Sequence, residues 1–297
     1  MPSQEGRLCV ITGTGGLGYE TAVALAVRGA DVILAGRNPA KGAASIQKIR
    51  AAGGLAARFE PLDLASLASV AEFAGRLEGD IASLDLLVNN AGVMAPPARG
   101  TTADGFELQF GTNYLGHSAL TAHLLPLLRR AEAPRVVSLS SGVHVAGAIR
   151  FDDPQWLRAY SPTAAYSQSK LAMLMFALEL QRRSDAGGWR VMSTAAHPGF
   201  ARTELIANGP GHRGALYLMS QVIASFASQS AADGALPTLY AATSPEAVGG
   251  AYYGPSRMME MKGPPKVAFV AKQARNADAA RRLWELSERL TGTSFPA

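Results

Sequence analysis

Tyr166 and Lys170 stand four residues apart in Tyr166-Ser167-Gln168-Ser169-Lys170. On a helix that spacing puts both side chains on one face. A phenol ordinarily loses its proton only near pH ~10. A neighbouring ammonium favours the phenolate and lowers that value. A tyrosine tuned in this way can exchange a proton with a carbonyl or alcohol oxygen. Chance alone places such a pair on many helices, so the pair gains meaning only from what accompanies it.

A second chemistry is written in Gly13-Thr14-Gly15-Gly16-Leu17-Gly18. These residues follow an apolar run and precede a helical segment, the context in which G-x-G-x-x-G binds a dinucleotide. Glycine permits the tight turn and the close approach of backbone N–H groups to a pyrophosphate, and the helix N-terminus adds partial positive charge. No Gly-Lys-Ser/Thr follows, which speaks against a P-loop. The next strand ends in Ala35-Gly36-Arg37-Asn38. An NAD-selective fold usually offers a carboxylate here, whereas an Arg accommodates the 2′-phosphate of NADP. Gly36 offers no carboxylate and is expected to leave open space, while Arg37 supplies a planar fork for phosphate oxygens. NADP(H) is therefore the expected cofactor. Asp63, with Leu64 beside it, ends the third strand. It could accept from the adenine amino group or cap the following helix.

These residues need a frame to hold them. Short β-branched runs at 7–12, 31–35, 58–62, 85–88, 135–139 and 190–195 read as strands. Helical segments are expected at 18–28, 40–52, 66–77, 104–130 (with Pro126 a break or kink) and 164–183. Continuous apolar strands alternating with helices predict an α/β fold: a Rossmann-type, doubly wound parallel sheet with helices on both faces. No linker divides residues 1–297, so one domain is expected. Within it, the loops and helices of 198–260 are expected to cap the sheet's C-terminal edge, where ligands bind in such folds.

Thr12-Gly13 through Gly18, Asn89-Asn90-Ala91-Gly92, Asn113 in Asn-Tyr-Leu-Gly-His, Ser140-Ser141, Tyr166 with Lys170, and Pro198-Gly199 with Thr203 follow one another along nearly the whole chain. In this order they resemble the short-chain dehydrogenase/reductase family. The phrase 113–117, Phe151-Asp152-Asp153, Ala274-Arg275-Asn276 and Leu283-Trp284-Glu285 are most similar to its retinol dehydrogenase-like and protochlorophyllide reductase-like members. The resemblance implies that Tyr166 gives or takes the proton. It implies that Lys170 holds the nicotinamide ribose and tunes the tyrosine, and that Ser141 bonds the substrate oxygen, with Ser140 as its rival. Asn113 is implied to hold a water that relays protons to Lys170. Asn90, Ala91 and Gly92 would lie beside the adenosine, and Pro198, Gly199 and Thr203 beside the nicotinamide. The glycine loop departs from the family's usual form: two residues rather than three separate Gly13 from Gly16. Taken singly, the asparagines, the serines and Pro198-Gly199 also read as ordinary turn and strand-end residues.

The function so implied is hydride transfer between NADP(H) and a carbonyl or secondary alcohol. A C=C reductase and a non-catalytic dinucleotide sensor share the fold; the complete Asn113, Ser141, Tyr166, Lys170 set favours turnover. Leu205-Ile206, 215–219, Val222-Ile223 and Phe226 predict a hydrophobic substrate, with Trp156 contributing from the other side. With 48% apolar and 17% charged residues, a disordered chain is excluded. The net charge of +5 is scattered, so no nucleic-acid partner is expected, and neither is a membrane span. One cysteine, Cys9, fits a packing role and a cytoplasmic location. The five histidines show no H-x-x-x-H ligand spacing, so no metal is expected. The resemblance further implies a homodimer or homotetramer joined through the helices at 104–130 and 164–183.

Overall fold

The computed structural model describes residues 1–201 and 228–296. Among the described residues, eight strands form one sheet in the order β3-β2-β1-β4-β5-β6-β7-β8. They are β1 (Leu8–Thr12), β2 (Asp31–Gly36), β3 (Ala57–Pro61), β4 (Leu86–Asn89), β5 (Arg135–Leu139), β6 (Met192–Ala196), β7 (Tyr252–Arg257) and β8 (Lys262–Val267). All neighbours pair in parallel except β7 with β8. Central strands such as β1 (LCVIT) and β4 (LLVN) alternate no polar face because helices cover both sides. The doubly wound single sheet agrees with the sequence reading. Strand order reverses between β1 and β4, so the connections leaving these two strands diverge and open a crevice at their C-terminal ends.

Helices α1 (Gly16–Ala26), α2 (Pro39–Ala51) and α3 (Leu67–Asp80) follow β1, β2 and β3. Ser66 caps α3, its hydroxyl accepting from Ser69 N–H at 3.3 Å. Asp63 therefore does not cap that helix; its carboxylate accepts from Ala65 N–H at 2.9 Å in a local turn.

The expected helix 104–130 proves composite. A helical turn, α4 (Leu108–Phe110), passes into a π-helical turn (Gly111–Leu115) and then into α5 (Gly116–Leu128). It starts late because the Glu107 carboxylate accepts from the N–H groups of Gln109 and Phe110 at 3.0 and 2.7 Å. Pro126 lies in the last turn of α5, and the helix runs through it to Leu128.

Helix α6 (Pro162–Gly187) begins with proline in its first turn and ends at Gly188, φ 62°. After β6, α7 (Ala231–Thr243) and α8 (Ala277–Thr291) complete the described helices. Helix α8 lies on α5 and α6: Trp284 stacks on Phe176 at 5.5 Å, and the hydroxyls of Tyr114 and Ser287 meet at 2.7 Å. Along α5 only His123 and Pro126 are exposed. The C-terminal helix covers part of the apolar surface of α6 and of the turn leading into α5. Among the described residues, no helix is long and apolar enough to cross a membrane.

Candidate active site

The crevice between the β1 and β4 connections is a cavity of about 560 Å³. Its floor is stitched by Thr12, whose hydroxyl oxygen accepts from the N–H groups of Asn90 and Ala91 at 2.9 Å each. The Asn90 amide donates back to Thr12 O at 2.7 Å. Two glycines are obligatory here. Gly13 has φ +96°, and a Cβ on Gly18 would stand 2.4 Å from Gly13 O. Gly15 is the N-cap of α1 and provides no side-chain acceptor, so the first N–H groups of the helix face the cavity for an incoming acceptor. Gly13, Gly15, Gly16, Leu17, Arg37, Asp63, Leu64, Asn90, Ala91 and Gly92 all line this cavity, while Gly18 lies behind Gly13.

Gly36 differs from expectation. A Cβ there would lie 2.7 Å from Thr14 Cγ2, so the space above it belongs to the phosphate loop. Ser45 holds that loop from α2, donating to Thr14 O at 2.8 Å. Arg37 is largely exposed, with its Nε 3.9 Å from the Asp63 carboxylate. Lys41 lines the same end of the cavity and escaped the sequence reading. Its place four residues after Arg37, in the first turn of α2, was the available signal.

At the other end, α6 carries Tyr166 and Lys170 beside the end of β5. Ser140 and Ser141 separate cleanly. The Ser140 hydroxyl is buried and donates to Lys170 O at 2.7 Å, anchoring the helix. Ser141 lies close enough to Tyr166 to act on its phenol. Lys170 Nζ donates to Leu139 O at 3.1 Å and lies 5.8 Å from the Tyr166 ring centroid. The Asn113 amide oxygen accepts from Val93 N–H at 2.7 Å, and its nitrogen donates to Val93 O and Ser169 Oγ at 2.9 Å each. A Cβ on Gly92 would come within 3.0 Å of Asn113 Oδ1 and 3.7 Å of Lys170 Nζ. The β4 loop therefore joins the cavity to the catalytic side chains.

The loop after β6 closes this end. Gly199 has φ +63°, and a Cβ there would meet Met261 O at 2.3 Å. Pro198 O accepts from Gln229 Nε2 at 2.7 Å. Pro198 and Leu17 converge on Gly234 of α7, a position the sequence reading passed over. Thr203 and the apolar stretch from Leu205 to Phe226 lie outside the described residues. Trp156 is 6% exposed and lies under the Arg150 guanidinium at 4.4 Å.

The family model described as short chain dehydrogenase matches residues 7–210. The chain belongs to this family. It is 43% identical to polyprenol dehydrogenase of Mus musculus, covering 98% of this chain and 86% of that protein. Identity to retinol dehydrogenase 13 of Homo sapiens is 40%, over 98% and 86% of the two chains. A solved structure of an uncharacterized protein from Mycobacterium Paratuberculosis superposes with a TM-score of 0.82 at 40% identity, covering 100% of this chain and 97% of that one. This short chain dehydrogenase is thus an oxidoreductase working between alcohols and carbonyls.

Burial dominates the electrostatics of the dehydrogenase's site. It pushes the Tyr166 phenol up to about 12, against the lowering influence of Ser141. It pushes the Lys170 ammonium down to about 8. The expected tuning of Tyr166 by Lys170 is not what sets the phenol in this state; enclosure outweighs it.

Proposed function

We propose that the protein is an NADP(H)-dependent dehydrogenase that interconverts a carbonyl and an alcohol on a hydrophobic small molecule. The placement of Ser141 and Lys170 beside Tyr166, at the catalytic end of a glycine-walled crevice, carries this reading. A dinucleotide fits the residues present: glycines stand where any Cβ would collide, and the N-terminus of α1 is uncapped. Arg37 and Lys41 line one end of the crevice, and no carboxylate ends β2. Arg37 would hold the 2′-phosphate, the loop 13–18 the pyrophosphate, and Tyr166 with Lys170 the nicotinamide ribose. The bound nicotinamide would supply or accept the hydride.

In reduction, the substrate oxygen accepts hydrogen bonds from Ser141 and Tyr166, and Tyr166 passes its proton to that oxygen. With the phenol held near 12, the proton is in place throughout the neutral range. Ser141 Oγ accepts from Val143 N–H at 3.4 Å, which leaves its own proton to donate. In oxidation the same phenol must first lose its proton. The names of the polyprenol and retinol dehydrogenases support an apolar alcohol or carbonyl as substrate.

The test is turnover with NADPH and with NADH against aryl and long-chain carbonyls, with polar sugars as the contrast. Consumption of NADPH with the apolar set supports the reading. Cofactor binding without turnover of any carbonyl, or preference for sugars, would overturn it.

A further inference from the structure

His117 has no exposed surface and sits between the end of β1 and the π-helical turn. Its two ring nitrogens have different partners. Nδ1 is 2.9 Å from Asn113 O, and Nε2 is 2.9 Å from the Thr12 hydroxyl. A carbonyl only accepts, so Nδ1 carries the proton and donates. Nε2 then holds a lone pair and accepts from the Thr12 O–H. The Thr12 oxygen accepts from Asn90 and Ala91 N–H, and its one proton has two acceptors in reach, His117 Nε2 at 2.9 Å and Val88 O at 3.3 Å, of which the ring is the closer. Burial holds the ring down to about 4, and the charge of Lys170 acts in the same direction, which keeps the imidazole neutral.

The path continues on the Asn113 side. The Asn113 amide donates to Ser169 Oγ, and Ser169 donates to Tyr166 O at 2.8 Å. Two runs of hydrogen bonds, one from the Asn90–Ala91 wall through Thr12 and His117 to the Asn113 carbonyl, the other from the Asn113 side chain through Ser169 to the backbone of the tyrosine, are thus joined through the residue Asn113 itself. Widened π-turns inside helices recur at functional sites. Here the turn presents the Asn113 carbonyl to the ring.

We propose that His117 is a positioning residue whose two nitrogens serve two separate ends. Nε2, through Thr12, sets the cofactor wall at Asn90–Ala91. Nδ1, through Asn113 and Ser169, sets Tyr166. The proposal rests on the functional reading above, in that it takes Tyr166 as the proton donor and the crevice as the cofactor site.

Two substitutions separate the ends. His117→Asn keeps a donor near the Nδ1 position and removes the acceptor for Thr12. His117→Gln keeps an acceptor near the Nε2 position and removes the donor to Asn113. One neutral hydrogen bond corresponds to about 3- to 10-fold in an equilibrium or rate. The Asn variant is expected to raise the NADPH dissociation constant by about that factor, with kcat at saturating cofactor nearly unchanged. The Gln variant is expected to do the reverse. Thr12→Val should reproduce the cofactor defect of the Asn variant without touching the ring. Equal changes in both constants for both His117 variants, or no change in either, would overturn the proposal.

Nitrogen-15 spectra of the wild-type protein without cofactor give a readout that needs neither variant to fold. A protonated Nδ1 and bare Nε2 on His117 are expected; the opposite tautomer refutes the assignment. Tyr166→Phe run alongside distinguishes the two failures. If that variant keeps wild-type turnover, the functional reading fails, whatever the His117 variants show.

Discussion

At the scale of single residues, enclosure rather than pairing decides protonation. Tyr166 stays a phenol to about 12 and Lys170 stays charged only to about 8. Oxidation needs the phenol deprotonated, so its kcat/KM should rise with pH from 7 through 9. Reduction should fall over the same window as Lys170 loses its charge. Profiles measured in both directions check this, and parallel profiles would contradict it. Tyr166→Phe keeps the ring and should retain NADPH binding while turnover drops at least ~10²-fold. Arg37 is exposed and only loosely paired with Asp63, so its fork is available to a phosphate. A charge-assisted hydrogen bond is worth about 1.5–3 kcal/mol, or roughly 10- to 100-fold in affinity. Arg37→Ala should weaken NADPH by about that factor and leave NADH nearly untouched, as read by fluorescence titration of both. Gly36→Asp would not convert the enzyme to NADH. Its Cβ would push on Thr14 Cγ2, so both cofactors should bind more weakly.

At the scale of elements, the C-terminal helix α8 has a defined task. Trp284 is 2% exposed and touches Phe176, Phe295 and the guanidinium of Arg183, with centroid distances of 5.5, 4.2 and 4.5 Å. It seals the outer face of α6, the helix that carries Tyr166 and Lys170. Trp284→Ala should cost about 3–5 kcal/mol, the usual range for a large buried aromatic, with the rest of the core still folded. Urea unfolding would measure it. Loss of less than about 1 kcal/mol, typical of a surface change, would mean that α8 is peripheral.

For the whole molecule, the buried histidines set the acid limit. His117 and His197 are held down to about 4, and burial also lowers His144. Once unfolded, each binds a proton near its ordinary value of about 6.5. Between these values the unfolded chain binds more protons than the folded one, so stability is lost as pH falls from about 6.5 toward 4. The depressed carboxyls of Asp153 and Glu260 act in the same direction, while the raised Glu107 opposes them. His117 alone accounts for about 2 kcal/mol at pH 5. The unfolding temperature should therefore drop between pH 7 and 5, and less steeply in His117→Asn. Equal slopes would refute the assignment.

The α/β alternation, the parallel sheet and the glycine cradle were legible in the sequence because their signals are local. An apolar run such as 8–12, a glycine where the chain must turn, and a four-residue spacing on one helix each act over a few residues. So was the order of Asn113, Ser141, Tyr166 and Lys170. What the tertiary structure alone decided depends on groups distant in the chain meeting in a dry interior. Ser140 and Ser141 differ only in what α6 presents to them. Gly36 yields its space to Thr14 of another loop. The Glu107 carboxylate, capping the N–H groups of Gln109 and Phe110, and the π-turn that follows shortened and interrupted the long helix expected from the sequence. Lys170 tunes Tyr166 less than burial does, because desolvation is summed over every neighbour and a spacing reports only one. His117 showed no ligand spacing and looked inert in the sequence. Its two partners are 105 residues away in Thr12 and 4 residues away in Asn113, and only the fold brings the first to its ring.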